Sequence, residues 1–513
     1  MEEIGSAAVN GEQVMLPANV AREGARSLMV MIGGNLVIQA VTLVAALVIP
    51  RYLGPQTYGR WSAVMALVSF AAVITQFSLI WVDLLYVGAP WRTGRIEEAT
   101  KMASTTWLLR LTFSIVVAGI VAAWAFGTTA LEINTVLAVT IFGLAAARYG
   151  LRTHLSLFMA LGLVNQFTAL NLARAVLTFL AVLAGFALGG FLGVFLALVT
   201  INVALCLTSL QLLRHSLPVR LRLFSWSLIR QHMGYASWTF VGALCRSGQM
   251  WLPIYIVANA VSSTEAAFVG VQVQVYAVLT ELSHSARNSL LPILAQFDAI
   301  GHHSRMRSWG SMIVRYGIAA GCLSIVVWAL VGRELIHWIL SAAYAPVYEG
   351  VILMAVAHTF AFAAFTCVAI LNLRGFAKLA TGVVACFAFM TLGGVVWVTQ
   401  SASEGAAVQV AIVFAAAGGV FALAAYFTLG VFGHCWLSLR RSLLLMAPSL
   451  LAWPAVAWDT SFGWRAAASL GFTGGYVLLA NHFELISFAE MRRLMSRMRG
   501  PSEGQESDSA LVG

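Results

Sequence analysis

The sequence predicts an all-α polytopic membrane protein of about fourteen transmembrane helices, arranged as two six-helix bundles around a central cavity with two extra C-terminal helices. Three observations carry that expectation. Of 513 residues, 60% are hydrophobic and 10% charged, with mean hydropathy +0.86, whereas soluble domains are about 25% charged. Apolar stretches of about 20 residues, enough to cross about 30 Å of hydrocarbon at about 1.5 Å per residue, recur from Ser27 to Ile486 with no soluble domain between them. Lys and Arg concentrate in alternate connections, the asymmetry that topology imposes on membrane proteins.

Residues 1–26 are polar and partly acidic and lack the basic-then-apolar pattern of a cleaved signal, so 27–49 is expected to be a retained first span. The first bundle covers 27–213, with helices at 27–49, 60–82, 105–126, 135–157, 170–189 and 191–213. A basic linker, 214–233, is the longest cytoplasmic connection and the natural boundary between halves. The second bundle covers 234–432, with helices at 234–258, 264–290, 309–332, 347–371, 379–400 and 406–432. Residues 433–487 supply the appended helices, 442–458 and 464–487, and 488–513 form a cytoplasmic tail. Sliding the chain by 211 residues lays Tyr58-Gly59 on Val269-Gly270 and Asn35 on Arg246, a faint internal repeat of the kind transporters use to enclose a central site.

With the N-terminus cytoplasmic, twenty of the thirty Lys and Arg fall in cytoplasmic segments, Arg152 and the linker's Arg214, Arg220, Arg222 and Arg230 among them. Arg51, Arg60, Arg333 and Arg465 fall on the other side. Positive charge is retained inside, so both termini are expected to be cytoplasmic. The net charge of +10 is explained by this topology, and no basic stripe with interleaved aromatics points to nucleic acid.

Several chemistries are excluded. Only four aspartates occur, Asp83, Asp298, Asp459 and Asp508, so no DxD or DDxxD cluster is present to hold Mg²⁺ on a sugar nucleotide. There is no P-loop, HExxH or GxSxG motif. The six cysteines lie in or at the ends of apolar stretches, never as CxxC, and suggest neither a disulfide framework nor a zinc site. No catalytic residue, metal or cofactor is expected, and the chain is read as a non-enzyme.

Ionisable groups inside spans are the informative ones, because an arginine at the bilayer centre costs about 2.5 to 3.5 kcal/mol on insertion scales and needs a polar cavity or a partner. Arg246 stands at the middle of its span with Gln249 one turn on. Arg110, Arg148, Arg174, Arg287 and Arg315 lie nearer inner helix ends, where long side chains snorkel or together surround an inward-facing vestibule. Asn35 and Gln39 form a neutral stripe with Thr42 in the first span, and Gln272 shares a face with Tyr276 in the eighth. Glu281 is the main carboxylate within a span, and with His358 it is a candidate coupling group; structural pairing with Arg246 or Arg287 is the alternative. A cationic cavity in a membrane favours an anionic amphiphile over a cationic drug.

The stretch "LVIPRYLGPQTYGRWSAVMAL", Leu47 to Leu67, resembles the junction between the first two spans of polysaccharide flippases, with Tyr52-Leu53-Gly54 followed by Tyr58-Gly59. Trp251 to Pro292, with Gly270 and "LLPIL", is similar to that family's seventh and eighth spans, and Ile339 to Ala355 to the segment before the tenth. The chain thus resembles the Wzx-type lipid-linked oligosaccharide flippases of the multidrug/oligosaccharidyl-lipid/polysaccharide exporter superfamily. The resemblance implies a bacterial inner-membrane protein that turns undecaprenyl-pyrophosphate-linked repeat units to the outer leaflet for exopolysaccharide or O-antigen biosynthesis. It implies a lipid-linked oligosaccharide substrate, contact with membrane lipids, and polymerase and chain-length proteins as pathway partners. Related lipid II flippases carry arginines in the first span, and this span has none.

Two alternatives stand beside that reading: a small-molecule exporter of the multidrug type, and a membrane glycan polymerase or ligase, for which the outer loops are short. The turn around Gly54-Pro55 is expected to be a hairpin anchored by Tyr52, Tyr58 and Trp61, with Arg51 as a headgroup contact.

Overall fold

The computed structural model describes residues 18–77, 79–217, 220–299, 303–374, 376–401 and 405–431. Twelve α-helices run through them: α1 (Ala18–Gln76), α2 (Leu79–Tyr86), α3 (Gly88–Arg92), α4 (Ile96–Gly127), α5 (Thr135–Ala160), α6 (Val164–Ser216), α7 (Trp226–Ala260), α8 (Ser263–Ala299), α9 (His303–Leu335), α10 (Val347–Leu373), α11 (Ala377–Ser401) and α12 (Ala406–Val431). No strand occurs among the described residues. Eight helical stretches there are long and apolar enough to span a membrane, two of them 44 and 52 residues long, and the chain is a multi-pass membrane protein. The helices expected at 442–458 and 464–487, and the tail beyond, lie outside the described residues.

The two longest helices are each a pair of spans run together. α1 departs from helical geometry only at Gly54 (φ 75, ψ 162), where glycine takes the positive φ and Pro55 brings no amide proton to the ladder. The expected loop is therefore a single-residue break between two helical arms. α6 folds at Gly189 and Gly190, and its arms touch where a Cβ on Gly193 would lie 2.1 Å from the Gly185 carbonyl oxygen. Close backbone approach at small residues is how membrane helices gain packing without a hydrophobic driving force.

Connections alternate between the two ends of the molecule. One end, here the turn end, carries the breaks at Gly54 and Gly189-Gly190 and the connections 128–134, 261–262 and 336–346. The opposite, basic end carries the elbow formed by α2 and α3, the 161–163 turn and the linker 217–225. Caps fix several starts: the Asn134 side chain accepts from the Leu137 amide at 2.9 Å ahead of α5, and Ser262 accepts from the Glu265 amide at 3.1 Å at the head of α8. Glu265 in turn accepts from the Ala407 amide at 2.8 Å, placing a carboxylate at the N-terminus of α12 where the helix dipole favours it.

In the first half, α5 packs between α4 and α6, and all three pack on α1; in the second, α10 is the central, almost wholly buried helix, flanked by α8, α9, α11 and α12. The halves meet chiefly through the second arm of α1. Near the turn end a Cβ on Gly59 would lie 1.6 Å from the Ser263 carbonyl oxygen, and Gly270 of α8 sits against Tyr58 and Ser62. The 211-residue slide thus picks out two glycines that each admit the opposite helix. Farther along, Phe70 touches Gly248 of α7, and Phe77 stacks on Phe240 with centroids 4.3 Å apart.

Candidate functional site

Arg148 and Arg152 lie one turn apart on α5, and Arg174 of α6 joins them closely enough that each guanidinium feels the others' charge. Arg152 is exposed and Arg148 and Arg174 are half-buried, although all three lie well inside their helices. Arg152, counted from the sequence among the cytoplasmic charges, is eight residues short of the end of α5 at Ala160, about 12 Å along the helix. The span expected at 135–157 already contained Arg152, and α5 carries the helix three residues further, to Ala160.

Glu281, exposed on α8 in the other half, lies within electrostatic reach of Arg152, although α5 and α8 do not pack closely. Charged side chains from the two halves thus come within electrostatic reach without close packing of α5 on α8, with cations on α5 and α6 and a carboxylate on α8. Arg246, exposed at mid-helix on α7, adds a further cation near Tyr276. The sequence offered Arg246 or Arg287 as partners for Glu281, and Arg152 is a further cation within its reach. Arg287 lies on α8 beyond the described side chains.

Asn35 and Gln39 are half-buried on the first arm of α1. Adjacent Gly34 abuts Thr168 of α6, and the Thr42 hydroxyl is used by its own helix, donating to the Ile38 carbonyl at 2.8 Å. Among the residues expected at the site, the structure thus brings Arg148 and Arg174 together and adds Arg152.

Gln249, Gln272 and His358 belong to a second, buried cluster inside the C-terminal half. Gln272 is 0% exposed, pressed against α10 where a Cβ on Gly350 would lie 1.9 Å from its Nε2, and among the described residues neither of its amide atoms has a hydrogen-bond partner. One turn on, the Tyr276 hydroxyl lies beside Gln249 and Thr280 but completes a hydrogen bond with neither, and the Gln249 carbonyl oxygen is likewise unpartnered. The Thr280 hydroxyl donates to the Tyr276 carbonyl at 2.7 Å and stands 3.4 Å from Nδ1 of His358. An unsatisfied buried polar group costs about 1 to 3 kcal/mol, so this seam between α7, α8 and α10 is held against a real penalty.

Arg110, expected to snorkel or to line the vestibule, does neither. Its guanidinium and the Asp83 carboxylate form an ion pair of 2.7 Å with both side chains 0% exposed. Thr106 donates to Asp83 at 2.8 Å and Ser156 at 2.9 Å, while Arg110 also donates to Ser156. The pair fastens α2, the elbow after the break at Phe77, onto α4 and α5. The sequence signal was an aspartate in the apolar run "LIWVDLLY", which demands a cation when buried. Among the described residues, no three His, Cys, Asp or Glu side chains converge as metal ligands.

No protein-family model matches the chain, and no curated protein matches it. Solved structures do. An inward-facing MATE-family multidrug resistance transporter of the MOP superfamily superposes with TM-score 0.61 at 11% identity, over 79% of this chain and 98% of that one. The lipid II flippase MurJ in an inward closed conformation gives 0.64 at 10% identity, over 89% and 100%. A MATE transporter of Vibrio cholerae gives 0.57 at 12% identity, over 82% and 99%. Across most of its length, this chain has the fold shared by those MOP-superfamily transporters.

Proposed function

We propose that the protein flips undecaprenyl-pyrophosphate-linked oligosaccharide repeat units from the inner to the outer leaflet of the bacterial inner membrane, for exopolysaccharide or O-antigen biosynthesis. Both termini are cytoplasmic in this reading, and the two halves alternate access to the cavity between them. The observation that carries it is the cluster of Arg148, Arg152 and Arg174, with Glu281 of the other half within electrostatic reach. Three guanidiniums held together in an apolar slab repel one another, and an anion with several oxygens relieves that repulsion. Planar guanidinium forks match phosphate oxygens, and a diphosphate offers two charged groups to the cluster. Arg246 extends the cationic surface from the other half, while Asn35 and Gln39 suit sugar hydroxyls. The polyprenyl tail stays in lipid.

Glu281 holds Arg152 in the absence of cargo and is displaced by the incoming phosphate. With His358 it is the candidate for coupling flipping to an ion. The product faces the polymerase and chain-length proteins of the pathway, which are the expected partners.

The test is a deletion strain complemented with the parent gene or with Arg152→Ala/Arg174→Ala. Loss of polymer with lipid-linked repeats accumulating in the inner leaflet is expected; normal polymer output would overturn the assignment. A second reading, export of small molecules, is favoured by the MATE multidrug transporters that share the fold. Drug resistance conferred on a susceptible host, with no glycan defect on deletion, would establish that reading.

A further inference from the structure

We propose that the two halves are latched at the turn end by reciprocal helix caps, Arg51 of the first arm of α1 capping the end of α9 and Tyr344 capping the end of that first arm. From the sequence, Arg51 was expected to reach lipid headgroups. In the structure its Nη1 donates to the Trp338 carbonyl at 2.6 Å and to the Ile339 carbonyl at 3.3 Å. Those carbonyls close the π-helical turn Ile336–Leu340 that extends α9 and ends at Ser341, a non-glycine residue at φ 106. The last carbonyls of a helix lack amide partners and carry the negative end of its dipole, so a guanidinium is well placed there.

The return contact comes from three residues beyond Ser341. Tyr344 is 0% exposed, its ring edge-on to Phe268 of α8, and its hydroxyl donates to the Pro50 carbonyl at 2.9 Å. Pro50 lies one turn before the break at Gly54, where Pro55 offers no amide proton and the arm ends with more carbonyls than donors. Each half therefore satisfies backbone groups at a helix end belonging to the other. Separating the halves here exposes both sets of carbonyls at once, so the two caps act together. Gly59 completes the seal by letting α1 reach the Ser263 carbonyl.

Opening of the turn end is read by labelling in membrane vesicles with an impermeant maleimide, after all six native cysteines are replaced. Ser62→Cys, 5% exposed against Gly270, reports on the seam, and Ala145→Cys, 0% exposed in α5, reports on the fold. Arg51→Ala and Tyr344→Phe, the latter removing one hydroxyl, are each expected to speed labelling at position 62 by about tenfold, the ratio set by one lost hydrogen bond of this kind, with position 145 unchanged. Unchanged labelling at 62 in the double variant would overturn the latch, as would equal acceleration at both reporters. The latch rests on the alternating-access part of the proposed function, but labelling uses no cargo. Normal polymer output from Arg152→Ala/Arg174→Ala, together with accelerated labelling in the latch variants, would therefore sink the cargo assignment and leave the latch standing.

Discussion

Asp83 and Arg110, 27 residues apart, meet at 2.7 Å with neither side chain reaching the surface. Removing one partner leaves the other charge buried and unpaired, so Asp83→Asn or Arg110→Ala should cost about 3 to 5 kcal/mol. Replacing both with apolar residues of similar volume should recover most of that loss. Thermal midpoints of the four detergent-purified proteins check it, and a double variant no better than either single one would contradict the account.

The clustered arginines should behave in the opposite way. Arg174 is surrounded by the charges of Arg148 and Arg152, so Arg174→Ala relieves repulsion and should leave the thermal midpoint unchanged or higher. Transport should nevertheless fall by about tenfold or more, since charge-assisted contacts to phosphate are the strong ones. A variant that loses stability and transport in parallel would mean that the cluster is structural.

Glu281→Gln removes the carboxylate that competes for Arg152. Affinity for a soluble anionic probe, inorganic pyrophosphate, should rise by about three- to tenfold, measured by calorimetry on detergent-solubilised protein. Weaker pyrophosphate binding would show that Glu281 positions the arginines instead of competing with the anion.

Gln272 is buried with both amide atoms unpartnered among the described residues, so Gln272→Leu should stabilise the fold by about 1 to 2 kcal/mol. If the polar seam around Tyr276 and His358 takes part in coupling, the same variant should transport more slowly despite its higher midpoint. Destabilisation would show instead that the amide contributes packing that leucine cannot match.

Two glycines make a paired test of helix contact. A Cβ on Gly59 has no room beside the Ser263 carbonyl, whereas around Gly119 of α4 nothing lies within 4 Å. Gly59→Ala should force α1 from α8 and lower the midpoint by several degrees, while Gly119→Ala should raise stability by about 0.5 kcal/mol through reduced chain freedom.

Span-level organisation was largely legible in the sequence. Hydrophobic windows located the twelve expected helices that fall among the described residues, and the turn expected at Gly54 falls where α1 breaks, because length, hydropathy and glycine are local properties. The second span ends earlier than expected, at Gln76, since the apolar run continues through an elbow that is not part of the span. The cost of burying arginine singled out Arg148 and Arg174 as unusual. It gave no way to tell them from Arg110, whose different fate depends on Asp83, a residue on another helix. Arg152 lay inside the expected span, 135–157, yet was counted with the cytoplasmic charges; its nearness to Glu281 depends on α8 and leaves no trace in the local sequence. Arg51 was misread because contact with a segment 287 residues away leaves no periodic trace.

One consequence lies in the register of the second arm of α1. Gly59 and Phe70 are spaced by 11 residues, close to three turns of helix, so the contacts with α8 and α7 fall along a single line about 16 Å long, ending just short of the break at Phe77. Such a line works as a ruler. One residue inserted just after Gly59 would swing everything beyond it by about 100°, turning Phe70 toward lipid while Gly59 stays docked. The arm therefore tolerates changes of side chain on its outer faces but not changes of length, and its phase relative to Gly54 keeps the two halves in step.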